Sequence, residues 1–191
     1  MPEPFPASKL LAALGRALDR ARLGYVVIGG QAILRYGRAR LTDDVDVTLL
    51  LPPYTPRPLV DLLPTLGLTP KFPEALQRVR MSALLPCLHP PSALGVDFAL
   101  ADSDYERLVV RRAEVEVIDG VPVRFASAED LLIQKTLAAR DVDRGDVRWL
   151  LSRQDRLDLA YVRDWLHQFE ALYERPLVDE FDAVARSVPR V

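Results

Sequence analysis

The chain has 191 residues and a mass of 21.4 kDa, enough for one good core or for one domain with a small appendage. Its formal net charge of -2, with 49% hydrophobic residues, is ordinary for a globular protein and weighs against tight, sequence-independent binding of long nucleic acid. No run of about 18 apolar residues appears, so no transmembrane helix is expected.

The start, Met1-Pro2-Glu3-Pro4, is acidic and proline-rich and does not resemble a secretory signal. The expectation is a cytoplasmic protein with no membrane partner. The single Cys87 excludes an internal disulfide, and His89 and His167 are too few and too far apart for a structural zinc site. Any metal is therefore expected on carboxylates, which favours Mg²⁺ or Mn²⁺.

In chain order, Ser8 is expected to cap a helix with Leu10, Leu11, Leu14 and Leu18 on one stripe, ended by Gly24. Tyr25 to Ile28 is a short, β-branched run and predicts a buried strand. Gly29-Gly30 breaks it, and Gln31 to Tyr36 predicts a short helix. Val45 to Leu50, led in by Asp44, is the next strand, and Pro52, Pro53, Pro56 and Pro58 stop it. A short helix is expected over residues 59–66, strands over 81–85 and 96–100, and a turn at His89-Pro90-Pro91-Ser92.

Tyr105 to Arg111 predicts a helix, and Asp119-Gly120 predicts a hairpin between strands at 115–118 and 121–125. From Ser127, which with Asp130 forms a capping-box-like start, only helical patterns remain. Leu131, Leu132, Lys135, Ala138 and Ala139 define the first of four helices. Val147, Leu150 and Leu151 define the second. Leu159, Val162, Trp165, Leu166 and Phe169 define the third, and Val178, Phe181, Val184 and Ala185 the fourth. The aromatics Trp149, Tyr161, Trp165 and Phe169 are expected in the core. The fold class is thus mixed α+β: a small mixed β-sheet core with flanking helices over residues 1–125, then a helical part over 126–191 packed on it.

The chemistry lies in the aspartates. Asp44 and Asp46 stand two apart at a strand start, so both carboxylates point the same way. Asp97 sits inside another apolar strand, where an unpaired carboxylate is costly. If the two strands are neighbours, three carboxylates converge, and a divalent cation would remove their mutual repulsion. Such a centre can bind a triphosphate and polarise its α-phosphate. Asp97, from a separate strand, is the candidate to take a proton from an attacking hydroxyl. Gly29-Gly30 would let phosphate approach backbone N–H groups at the helix start, although the pair also suits a simple turn. Arg40 and Thr42 either hold phosphate oxygens or shape the turn before the aspartates.

The run "VVIGGQAILRYGRARLTDDVDVTLL" resembles the opening motif of the DNA polymerase β-like nucleotidyltransferase superfamily. With Gly29, Gly30, Ala32, Arg40, Thr42, Asp44 and Asp46 it is similar to the bacterial AbiEii/AbiGii toxin-type enzymes and their uncharacterised relatives. The later run "FASAEDLLIQKTLAARDVDRGDVRWLL" resembles a second block of that group, carrying Ser127, Glu129, Asp130, Lys135, Arg140, Asp143 and Asp146. The resemblance implies transfer of a nucleoside monophosphate from an NTP, with release of pyrophosphate. Asp44, Asp46 and Asp97 would be catalytic and metal-binding. Gly29, Gly30, Arg40, Thr42 and Lys135 would serve the nucleotide. Lys135 also suits a helix-edge lysine, and Arg140 with Asp146 suits a structural pair. Implied partners are a tRNA or protein acceptor and a cognate antitoxin. A small-molecule acceptor and a non-catalytic nucleotide- or partner-binding module on the same fold are the alternatives.

Overall fold

The computed structural model describes residues 7–39, 41–52 and 55–188. They divide into two compact units. One holds residues 7–32 and 41–126, and the other holds Ile33–Ala39 with residues 127–188. Among the described residues no helix is long and apolar enough to cross a membrane.

The first unit runs α1 (Ala7–Arg20), β1 (Tyr25–Ile28), the start of α2 (Gly29–Arg35), β2 (Asp44–Leu49), α3 (Arg57–Val60), a 3-10 turn at Leu63–Leu66 and β3 (Thr69–Pro70). It continues through α4 (Ala75–Ser82), β4 (Leu84–His89), β5 (Leu94–Leu100), α5 (Asp104–Arg111), β6 (Glu114–Ile118) and β7 (Val121–Phe125). The strands form one mixed seven-stranded sheet in the order β3-β4-β5-β2-β1-β7-β6. β2 runs parallel to β5 and antiparallel to β1, and β7 pairs parallel with β1.

Alternation along the strands gives the sheet two unlike faces. Val45, Val47 and Leu49 of β2, Val96, Phe98 and Leu100 of β5, and Leu85 and Cys87 of β4 share one face and are buried. Each such apolar side chain contributes roughly 1.5–3 kcal/mol. Tyr25 lies on that face too, and its hydroxyl approaches α1 at Gly15 and accepts from the Arg124 backbone N–H at 3.3 Å. On this side of the sheet α1 packs against β7 and β6, with Leu10, Leu11, Leu14 and Leu18 buried. Asp44, Asp46 and Asp97 lie on the opposite face.

Several boundaries differ from expectation for local reasons. Ser8 lies inside α1. That helix closes on Arg22, at φ 55°, with Leu23 N–H bonded to the Leu18 carbonyl and Arg22 N–H to the Asp19 carbonyl. This is a Schellman end without glycine, and Gly24 falls beyond it. The expected helix over 59–66 is two short pieces, because Pro58 and Pro64 each start a new turn. Met81 and Ser82 belong to α4, not to a strand. Ala83, at φ 55°, ends that helix by donating to the Val79 carbonyl, and the strand begins at Leu84.

The second unit carries the later part of α2, then α6 (Ala128–Ala138), α7 (Asp141–Arg153), α8 (Leu159–Tyr173) and α9 (Leu177–Arg186). Ser127 caps α6 by accepting from Asp130 N–H at 3.2 Å. Asp130 in turn accepts from the Tyr161 hydroxyl at 2.7 Å, tying α6 to α8. Val162, Leu166, Leu177 and Phe181 are the buried residues of α8 and α9. Trp149, Tyr161, Trp165 and Phe169 are only half-buried, at the margin rather than inside the core. Polar tips draw two of them outward: Trp149 donates to the Tyr36 carbonyl at 2.9 Å, as Tyr161 does to Asp130.

A buried charge network closes this unit. Lys135 Nζ lies 2.9 Å from Asp143 and 3.1 Å from Asp146, and Arg140 and Arg38 reach the same two carboxylates. The tie between helices is thus wider than a single Arg140–Asp146 pair. Burial alone pushes the Asp143 carboxyl up, but hydrogen bonds from Arg140 and Lys135 outweigh it and hold its pKa below the ordinary value. A depressed carboxylate stabilises the fold above its unfolded pKa and loses that contribution as pH falls through the folded one. Asp143→Ala should cost about 3 kcal/mol at pH 7, since it takes one of two carboxylate partners from the buried Lys135. Urea unfolding should show a smaller loss near pH 3, and an equal loss at both pH values would refute this linkage.

Candidate active site

β2 and β5 pair in parallel with Asp44 opposite Gly95 and Asp46 opposite Asp97. Neighbouring strands lie about 4.8 Å apart, so the register sets the Asp46 and Asp97 side chains next to each other on one face. Asp44 follows two residues away on the same side. All three expected carboxylates are therefore brought together. β1 runs beside them with Ile28 opposite Asp46, so Gly29 begins α2 against the Asp46 carboxylate.

Two glycines make room for this cluster. Gly29 has φ 65°, and a Cβ there would overlap the Asp46 carboxylate. Gly95 leaves space for the Asp44 carboxylate in the same way. Gly30 is the second residue of α2 and is buried. Thr42 donates its hydroxyl to the Asp44 carbonyl at 3.1 Å, which shapes the entry to β2. Arg40 lies outside the described residues.

Lys71, which the sequence does not single out, is a fourth member. Its Nζ stands 3.5 Å from Asp97 Oδ1. That oxygen is buried and has no hydrogen-bond partner, although the Asp97 side chain as a whole is 42% exposed. Among the described residues no three His, Cys, Asp or Glu side chains stand as a ready-made metal cage. The donor set nevertheless fits a hard divalent cation. It offers oxygen ligands only, on one face, with one orphaned oxygen and a cation already drawn to it. Behind the sheet, burial and then the Asp97 charge push the Cys87 thiol up to about 12, with Lys71 opposing. That thiol is inert at neutral pH.

Lys135 belongs to the helical unit. It is buried and spends its charge on Asp143 and Asp146. Lys135, Arg140, Asp143 and Asp146 of the run that singled it out in the sequence meet in the charge network.

No known family profile matches the sequence, and no curated protein is similar to it at a significant level. Solved structures are. An antigenic nucleotidyltransferase-like protein from Paracoccidioides brasiliensis aligns with a TM-score of 0.54 at 16% identity, over 96% of this chain and 94% of the other. This chain has the nucleotidyltransferase fold. The antibiotic-resistance factor ANT(2'')-Ia aligns in its solution structure with a TM-score of 0.52 at 17% identity, covering 95% of this chain and 90% of that one. Its crystal structure in complex with adenylyl-2"-tobramycin gives 0.51 at 21% identity, covering 95% and 97%.

The glycine at the head of α2 yields a direct test. Gly37 also has a positive φ, 79°, but open space where its Cβ would lie. Gly37→Ala should cost roughly 1–2 kcal/mol from backbone strain alone. Gly29→Ala should cost more in the same urea titration and displace Asp46 in a crystal structure. Equal costs and an unmoved Asp46 would show that the close approach is unimportant.

Proposed function

We propose that this chain is a metal-dependent nucleotidyltransferase that moves a nucleoside monophosphate from an NTP to an acceptor hydroxyl. The observation that carries the reading is the register of Asp46 on Asp97, with Asp44 on the same face, in a chain of nucleotidyltransferase fold. Fold alone would not be enough, because one fold hosts many activities.

Asp44, Asp46 and Asp97 are assigned to Mg²⁺ or Mn²⁺. When bound, the ion would neutralise their repulsion and draw charge from the α-phosphate. Gly29 and Gly30, with Arg40 and Thr42, are assigned to the triphosphate, where missing side chains and backbone N–H groups suit phosphate oxygens. Asp97 stands across the strand boundary from Asp46 and is assigned to the acceptor side, as the base that takes the hydroxyl proton. The acceptor oxygen bonds to the α-phosphorus, the bond to the bridging oxygen breaks, and the electron pair leaves on pyrophosphate. Lys135 organises the helical unit through Asp143 and Asp146.

For the acceptor, the motif resemblance favours a tRNA or a protein, in a toxin-like role with a cognate antitoxin. The second reading is a small-molecule acceptor, on the ground that ANT(2'')-Ia, of the same fold, is seen with adenylylated tobramycin. Incubation with each labelled NTP, Mg²⁺ and total RNA, lysate protein or aminoglycosides separates the two by where label appears. Asp46→Asn and Asp97→Asn should each lower transfer by about 10²-fold or more, since losing even a supporting partner of a metal ligand costs about 10–100-fold. Labelling that persists unchanged in both variants would sink the assignment.

A further inference from the structure

Lys71 follows the two-residue edge strand β3, and its backbone N–H donates to the Pro86 carbonyl at 2.9 Å. Pro70 pairs with Cys87, and Pro86 pairs with Asp97. Lys71, Pro86 and Asp97 therefore stand in one row across three strands, on the carboxylate face. Lys71 and Asp97 are two strand spacings apart, about 9.6 Å, and the four-carbon stem and the Asp97 side chain together bridge that gap over β4. The stem ends with Nζ 3.5 Å from Asp97 Oδ1 and close to the Asp44 carboxylate, since both crowd the same point above Gly95.

This ion pair is loose. Lys135 closes to 2.9 Å on Asp143 in the helical unit, whereas Lys71 leaves Asp97 Oδ1 without a hydrogen bond. Both Lys71 and Asp97 are also more than a third exposed. A lysine built to lock the strands together would bond the carboxylate directly. This one offsets the charge of Asp97 while remaining loosely held.

We propose that Lys71 is a tethered counter-ion that holds the three-carboxylate face when no divalent cation is bound and thereby sets its affinity for one. The inference rests on the reading of Asp44, Asp46 and Asp97 as cation ligands. An ammonium and a divalent ion compete for the same oxygens. Removing the ammonium removes the competitor beside the Asp97 and Asp44 oxygens, which strengthens their hold on the divalent ion.

The test uses the full chain without nucleotide, titrated with Mn²⁺ and followed by electron paramagnetic resonance of the free ion and by calorimetry. Lys71→Met, which keeps the stem and removes the charge, should bind Mn²⁺ about fivefold more tightly at low ionic strength, the scale of an exposed ion pair. Lys71→Arg should bind as the wild type does. The gap should shrink at about 0.5 M salt, where screening weakens exposed pairs. If Lys71→Met binds Mn²⁺ no more tightly than the wild type while Asp97→Asn loses binding, the counter-ion role is wrong and the site stands. If Asp97→Asn and Asp46→Asn bind as the wild type does, or the wild type binds none, the site reading itself is wrong and the counter-ion role goes with it.

Discussion

Parallel pairing of β2 with β5 over six register positions sets both the stability and the chemistry of the first unit. Residues with odd numbers on β2 and even numbers on β5 are buried in the core, and their neighbours face the other way. Apolar burial on one side is what makes this register costly to leave, because a slip of one residue would turn every buried side chain outward. The same register forces Asp46 against Asp97. Hydrophobic burial thus holds together a set of like charges that would otherwise separate.

The two units handle buried or crowded charge in different ways. In the helical unit Asp143 and Asp146 are fully buried and fully paired, with Lys135, Arg38 and Arg140 supplying the cations. Neither carboxylate there is exposed to solvent. On the sheet, one Asp97 oxygen has no hydrogen bond, Lys71 stands at ion-pair distance from it, and two glycines clear space around Asp44 and Asp46. Charge that is satisfied serves the fold, and charge that is left partly unsatisfied is available for chemistry.

Much of this was legible in the sequence. The two-residue spacing of Asp44 and Asp46 states a shared face, and an aspartate inside Gly95-Val96-Asp97-Phe98 states that something must compensate it. Strands and helices with strong apolar periods fell close to their expected places. Lys71 was not legible, because it sits between prolines with no pattern of its own. Its role appears only when β3 and β4 are laid beside β5. Arg22 and Ala83 end helices in a left-handed conformation that their residue types do not advertise, so the boundaries at Gly24 and Met81 were misread. α4 was missed because only Ala75 and Val79 of its eight residues are buried, too thin a stripe to read. Lys135 drew notice for a nucleotide role, while its two carboxylate partners lie eight and eleven residues on, across a helix boundary that spacing alone does not resolve.

Cys87 lies on the core face of β4, one register position from Pro86 and directly opposite Val96, the residue before Asp97. It is the chain's sole sulfhydryl, fully buried and held protonated by its surroundings. A thiol-specific reagent can reach it only when β4 parts from β5 or the unit opens as a whole. The rate of its modification under native conditions is therefore a clock for opening of the strand that flanks the carboxylates. The chain carries, at the back of its most charged surface, a single built-in gauge of how often that surface comes apart.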